Sequence, residues 1–205
     1  MSIQNRAVAG EKMATAEKGA YHEKSKLSIH ELTFMALMAA LLALLAQIAV
    51  PLGLVPFTLQ TVGIIAAALL LPRKNAVLAI LAYILLGLVG LPVFSGGRAG
   101  LGILAGPTGG FLYGFIPAAW LAGCLLNKGA NTPLWRVYSA ALITMPCYFS
   151  IGTLHYAFVL HISLTQAFMA AALPFLAIDA LKIVLCAPLI WKIRRLLHTQ
   201  IPKLF

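Results

Sequence analysis

The chain has 205 residues, of which 61% are hydrophobic and 10% charged, with a formal net charge of +10. Soluble domains carry about 25% charged residues, yet no charge occurs here from Leu32 to Pro72, Asn75 to Gly97, Ala99 to Asn127 or Val137 to Ile178. Each run exceeds the roughly 20 apolar residues that cross a bilayer, which excludes a soluble enzyme, a nucleic-acid-binding domain and a disordered chain.

Residues 1–29 form a polar tail in which Lys and Glu interleave, with no apolar segment of the kind that opens a secretory signal. The first apolar run is therefore expected to stay as a helix. Backbone inside a bilayer must satisfy its own hydrogen bonds, and a period-two alternation is absent, so the spanning elements are predicted helices and not a barrel. Six are predicted within one membrane domain, residues 30–205. The first is Glu31–Val50, stopped by Pro51 and Gly53, and the second Pro56–Leu71, stopped by Pro72. The third, Asn75–Gly90, ends at Leu91-Pro92. The fourth, Thr108–Leu126, ends at the polar stretch 127–133. The fifth covers Arg136–Leu160 and the sixth Ala170–Leu197. The chain thus reads as an all-α, multi-pass integral membrane protein.

The cations fall in short clusters between the apolar runs, which is how topology signals look, rather than on a phosphate-neutralising surface. With the N-terminus in the cytoplasm, 13 of the 15 Lys and Arg residues lie inside, and both termini are cytoplasmic. The two exceptions are Arg98, in an outward loop, and Lys182, inside the sixth helix.

Asp179 is the only acidic residue after Glu31, and Lys182 follows it by three. An i,i+3 pair shares one helix face. A charge in the membrane is costly and usually faces a cavity or a partner. The pair reads as a polar anchor for a ligand, about nine residues or roughly 13 Å below the outer end of its helix; the plainer reading is an ion pair that only fixes packing. The glycine-rich stretches Gly90–Gly102 and Gly106–Phe111 permit two uses. Glycine lets backbone groups approach a ligand closely, and Gly110-xxx-Gly114 is equally a helix-packing pattern. Arg98, the only outer cation, can grip a carboxylate through two parallel hydrogen bonds. Thr58, Gln60 and Thr61 add hydroxyl and amide groups at the same outer level. Cys124, Cys147 and Cys186 have no metal-ligand spacing, so neither metal nor cofactor is expected. Alanines at Ala36, Ala39, Ala40 and Ala43 give small-xxx-small pairs along the first helix, a strip on which another helix packs closely.

Four segments in order, Val55-Pro56-Phe57-Thr58-Leu59-Gln60-Thr61, Gly87-Leu88-Val89-Gly90-Leu91-Pro92-Val93-Phe94, Gly106-Pro107-Thr108-Gly109-Gly110-Phe111 and Pro174-Phe175 with Asp179 and Lys182, resemble the BioY family. That family supplies the biotin-binding S components of energy-coupling-factor (ECF) vitamin transporters. The resemblance runs from about Phe34 to Pro188. It implies the six-helix S-component fold, a biotin site near the outer face of a bacterial inner membrane, and as partners a transmembrane coupling subunit with two ATPases. In the family an alanine strip like the one in the first helix docks the coupling subunit. The chain has no GxxxxGK[ST] phosphate loop, so ATP-driven uptake needs another subunit. For biotin, Asp179 suits a ureido N–H and Lys182 the ureido oxygen or the carboxylate, with Phe57, Phe94 and Tyr113 as apolar walls.

The alternatives within transport are an S component for another vitamin and a solitary carrier. A membrane enzyme needs a metal cluster, a nucleophile with its base, or several carboxylates. One acidic residue after Glu31, with His155 and His161 far in sequence from any carboxylate, does not supply these. A mere scaffold leaves Asp179, Lys182 and Arg98 as costs without use.

Overall fold

The computed structural model describes residues 27–51, 54–126 and 132–201. Most of the predicted tail, with the loop residues Gly53 and 127–131 and the cation Lys203, lies outside these. The main compact unit is Thr33–Phe205.

Helix α1 spans Ile29–Gln47. Its start carries a reciprocal cap: Ser28 N donates to Glu31 Oε2 at 2.8 Å and Glu31 N donates to Ser28 Oγ at 3.2 Å, which satisfies two backbone donors that a helix end otherwise leaves open. The chain then forms a two-stranded antiparallel hairpin, β1 (Ala49–Val50) with β2 (Phe57–Thr58). The first and second predicted helices are therefore too long at this junction. Pro51 and Pro56 fix extended backbone on both sides of the turn and exclude a helix there.

Helices α2 (Gln60–Leu70) and α3 (Arg73–Leu88) follow, joined at Pro72, as the second and third predicted helices anticipate. The glycine-rich segment holds a tight turn in which Phe94 and Arg98 pair, and then a short helix α4 (Leu101–Ala105). Gly96 and Gly97 both adopt left-handed backbone, with φ of 69° and 72°, a conformation that side chains resist. Helix α5 (Gly109–Leu125) matches the fourth predicted helix within a residue at each end.

The fifth predicted helix is two, α6 (Leu134–Leu142) and α7 (Thr144–Leu160). Pro146 explains the break: its ring clashes with the carbonyl four residues back, Leu142, where α6 stops. The sixth predicted helix is likewise preceded by a separate one, α8 (Leu164–Ala171), before α9 (Leu173–Gln200). Pro174 acts there as Pro146 does. A capping box opens α8, with Gln166 N donating to Ser163 Oγ at 3.3 Å and Ser163 N donating to Gln166 Oε1 at 3.1 Å. Because α9 begins at Leu173, Asp179 lies six residues from its start, about 9 Å at 1.5 Å per residue, and not the 13 Å expected.

Helices α5 and α7 pack almost backbone to backbone. A Cβ on Gly110 would sit 2.2 Å from His155 Cβ, and one on Gly114 would sit 2.7 Å from Tyr148 Cα. At this pair the glycines serve helix packing.

Among the described residues, three helical segments are long and apolar enough to cross a membrane: Ile29–Gln47, Leu134–Leu160 and Leu173–Gln200. The other predicted spans, α2, α3 and α5, have 11, 16 and 17 residues. Large apolar side chains point outward along the bundle, among them Phe158 at 76% exposure and Leu44 and Leu185 at 67%. An apolar exterior on this scale suits lipid rather than water.

The two ends of the bundle differ. At one end Arg194 donates to the Leu69 carbonyl, Trp191 Nε1 to the Thr132 carbonyl at 2.9 Å, and Arg73 to Cys124 Sγ at 3.1 Å. All three tryptophans of the chain belong to this end, and each carries a guanidinium over its ring: Arg73 on Trp120 at 4.3 Å, Arg136 on Trp135 at 5.3 Å and Arg195 on Trp191 at 4.9 Å. The opposite end holds the hairpin, the Phe94–Arg98 turn and the first turns of α2, α5 and α9.

Candidate functional site

A cavity opens at that opposite end, with about 660 Å³ of empty space counted out through its mouth. The floor is charged and the walls are aromatic.

The floor is built on one face of α9. Asp179 and Lys182, one turn apart, meet at 2.6 Å, both buried. Asp179 Oδ1 also accepts from Thr61 Oγ1 at 3.3 Å, and Oδ2 accepts from Tyr148 OH at 2.6 Å. Lys182 Nζ donates to the Thr58 carbonyl at 2.6 Å and to Thr61 Oγ1 at 3.1 Å, and sits 4.2 Å from the centre of the Phe57 ring. An ammonium has three protons, and Asp179, Thr58 and Thr61 take all three. The ammonium is therefore paired and fully hydrogen-bonded, and the carboxylate nearly so, the condition under which buried charges are tolerated. A carboxylate offers about four acceptor sites, so Asp179 keeps one for a ligand. Lys182 reaches a ligand only by exchanging a present partner, and the Thr61 hydroxyl is the one able to rotate.

Hairpin and helix α2 deliver the neutral polar groups. Thr58 and Gln60 are buried and line the cavity together with Thr61. Gln60 Nε2 donates to Tyr83 OH at 2.9 Å, and Tyr83 OH donates to the Val93 carbonyl at 3.1 Å. On the far wall the 94–98 turn contributes Phe94, Ser95 and Arg98. Phe94 N donates to the Arg98 carbonyl at 3.0 Å, and Arg98 Nε donates to the Ser95 carbonyl at 2.9 Å. The guanidinium is exposed beside the mouth. Gln47, at the end of α1, tethers this turn by donating to the Pro92 carbonyl at 3.3 Å.

Of the residues singled out in the sequence, the structure brings Asp179, Lys182, Arg98, Thr58, Gln60 and Phe94 to one cavity. Phe57 stands behind it, under the ammonium. Tyr113 lies elsewhere. Its neighbours Phe111, Leu112 and Phe115 line the cavity, and two residues on from Phe111 is about 200° around a helix. Its hydroxyl donates to the Leu104 carbonyl at 2.8 Å, and its ring meets His155 edge-on; Tyr113 holds the end of α4 in place. The alanine strip also divides. Ala36 and Ala40 are exposed, Ala39 is buried in the core and Ala43 is half-buried.

Tyr148 escapes the sequence reading, because nothing along α7 indicates that it faces α9. The aromatic wall of Phe111 and Phe115 carried a legible signal, an i,i+4 pair on one face of a glycine-rich helix.

The sequence profile of the BioY family matches residues 20–199. A biotin transporter BioY2 of Lactococcus lactis subsp. cremoris is 35% identical over 84% of this chain and 94% of its own length. The chain belongs to the BioY family. A biotin transporter BioY of Thermotoga maritima is 34% identical over 78% of this chain and 93% of its own length. Among solved structures, the S-component for biotin from an ECF-type ABC transporter is similar with a TM-score of 0.75 and 25% identity, over 83% of this chain and 95% of that one. The mostly helical architecture is thus that of an ECF S component, and the BioY motifs of α2 and α9 converge on one pocket.

Proposed function

We propose that this BioY-family chain captures biotin at the outer face of a bacterial inner membrane and releases it inward as the S component of an ATP-driven ECF transporter. The observation that carries this reading is the buried Asp179–Lys182 pair, with one carboxylate acceptor site left open, at the base of an aromatic-walled cavity. Biotin combines an apolar bicycle with a ureido group and a carboxylate. The vacant acceptor site on Asp179 fits a ureido N–H, and the exposed Arg98 guanidinium fits the carboxylate at the mouth, as a bidentate pair does. No metal or cofactor takes part in this reading.

Six spans with both termini cytoplasmic is the topology that accords best with the charges. The Arg–Trp end then faces the cytoplasm, where cations are retained and tryptophan sits at headgroup level. Helices α3 and α5, at 16 and 17 residues, are near the lower limit for spanning, and the hairpin strand β2 lengthens the path of α2. The coupling subunit with its two ATPases docks on the exposed face of α1 at Ala36 and Ala40.

Titration of the purified protein with biotin in detergent, with riboflavin and thiamine as controls, tests the ligand. Saturable binding of biotin alone is expected. Binding of either control in place of biotin assigns the chain another vitamin, and binding of none removes the reading.

A further inference from the structure

Tyr83 is fully buried in α3, its ring held edge-on by Phe94 at 5.7 Å. It does not line the cavity, yet its hydroxyl sits between a cavity residue and a loop carbonyl. A phenol has one proton, and a backbone carbonyl has none to give. The Tyr83 proton therefore goes to the Val93 carbonyl, 3.1 Å away, and the phenol oxygen is left to accept. Gln60, 2.9 Å away, must then present its NH2 to Tyr83. A flipped amide would set two oxygens against each other in a buried place, or strip Val93 of its donor, and either leaves a polar group unsatisfied.

We infer that Tyr83 is a positioning residue that locks the Gln60 amide so that its oxygen is presented to the cavity as an acceptor, selecting a ligand with an N–H at that point. The inference rests on the biotin reading and deepens it. Asp179 already accepts from Lys182, Thr61 and Tyr148, which leaves about one acceptor site of four. A cyclic urea has two N–H groups, so it needs a second fixed acceptor. Gln60, adjacent in sequence to the Thr61 that bonds Asp179, supplies it.

A double-mutant cycle on biotin affinity separates this from a packing role, because residues that act through one another give non-additive losses. Tyr83→Phe keeps the ring and removes the hydroxyl; it is expected to weaken biotin about three- to tenfold, the span of one intramolecular hydrogen bond. Gln60→Met should weaken biotin at least as much, and adding Tyr83→Phe to Gln60→Met should change nothing further. The same fold loss from Tyr83→Phe in both backgrounds assigns it to packing and overturns the inference, as does no loss in the wild-type background. Wild-type protein that fails to bind biotin overturns the biotin reading and this inference with it, whereas wild-type binding without coupling overturns the inference alone. A readout without ligand covers variants too unstable to titrate. In protein with labelled glutamine, nuclear Overhauser contacts from the Gln60 NH2 protons to the Tyr83 ring support the lock, and their absence overturns it.

Discussion

Asp179 is the residue on which the site turns, since it joins α9 to Thr61 of α2 and Tyr148 of α7. Asp179→Asn keeps the shape but leaves the Lys182 ammonium without its carboxylate in a buried setting. Losing a charged partner costs about 1.5–3 kcal/mol, so biotin affinity is expected to fall about ten- to hundredfold, read by titration of the purified variant. Unchanged affinity in a folded variant removes Asp179 from the site. Tyr148→Phe is the milder change. It strips one donor from Oδ2 and is expected to destabilise the protein by about 1–3 kcal/mol, seen as a lower unfolding temperature in detergent that added biotin partly restores. Equal unfolding temperatures for variant and wild type would mean that the Tyr148 hydroxyl contributes nothing to holding the carboxylate. The sequence marked Asp179 and Lys182 because charge in an apolar run is rare. It could not mark Tyr148, since a tyrosine among aromatic neighbours is unremarkable until the opposing helix is known.

At the level of single elements, α1 shows how much depends on the face a helix turns outward. All four strip alanines fit a close-packing pattern in sequence, yet only Ala36 and Ala40 are exposed, while Ala39 is 3% exposed against the core. Bulky substitutions should therefore divide the strip. Ala40→Trp is expected to leave biotin binding by the isolated subunit intact and to abolish most ATP-dependent uptake by the assembled transporter, because close approach is the main drive for helix association in lipid. Ala39→Trp should instead lower stability and binding together, as overpacking a core does, by about 1–3 kcal/mol or more. If Ala40→Trp co-purifies with its coupling subunit in normal yield and transports normally, the exposed face of α1 is not the docking surface. The breaks before α7 and α9 were readable from Pro146 and Pro174, and the start of α8 from Ser163 and Gln166. The apolar runs around them had hidden those signals.

For the whole molecule, charge and aromatic placement give one axis, with the cavity at one end and the three Arg–Trp stacks at the other. Single cysteines at the two ends, introduced after replacing Cys124, Cys147 and Cys186 with serine, test the direction. Arg98→Cys should react with an impermeant maleimide on intact cells, and Lys74→Cys only after permeabilisation; the reverse pattern would invert the proposed topology. The sequence by itself determined the membrane class, most helix positions, the intramembrane ion pair and the family. Each of these follows from local facts: the length of an apolar run, the position of a proline or cap, the spacing of two charges. Tertiary structure alone decided that Tyr148 and Thr61 close on Asp179, that Tyr83 bonds Gln60, that Tyr113 faces away, and which alanines of α1 are exposed. The physical reason is common to all four. A helix in lipid is apolar on every side, so its sequence carries no amphipathic stripe to separate the face turned to its neighbours from the face turned to the membrane.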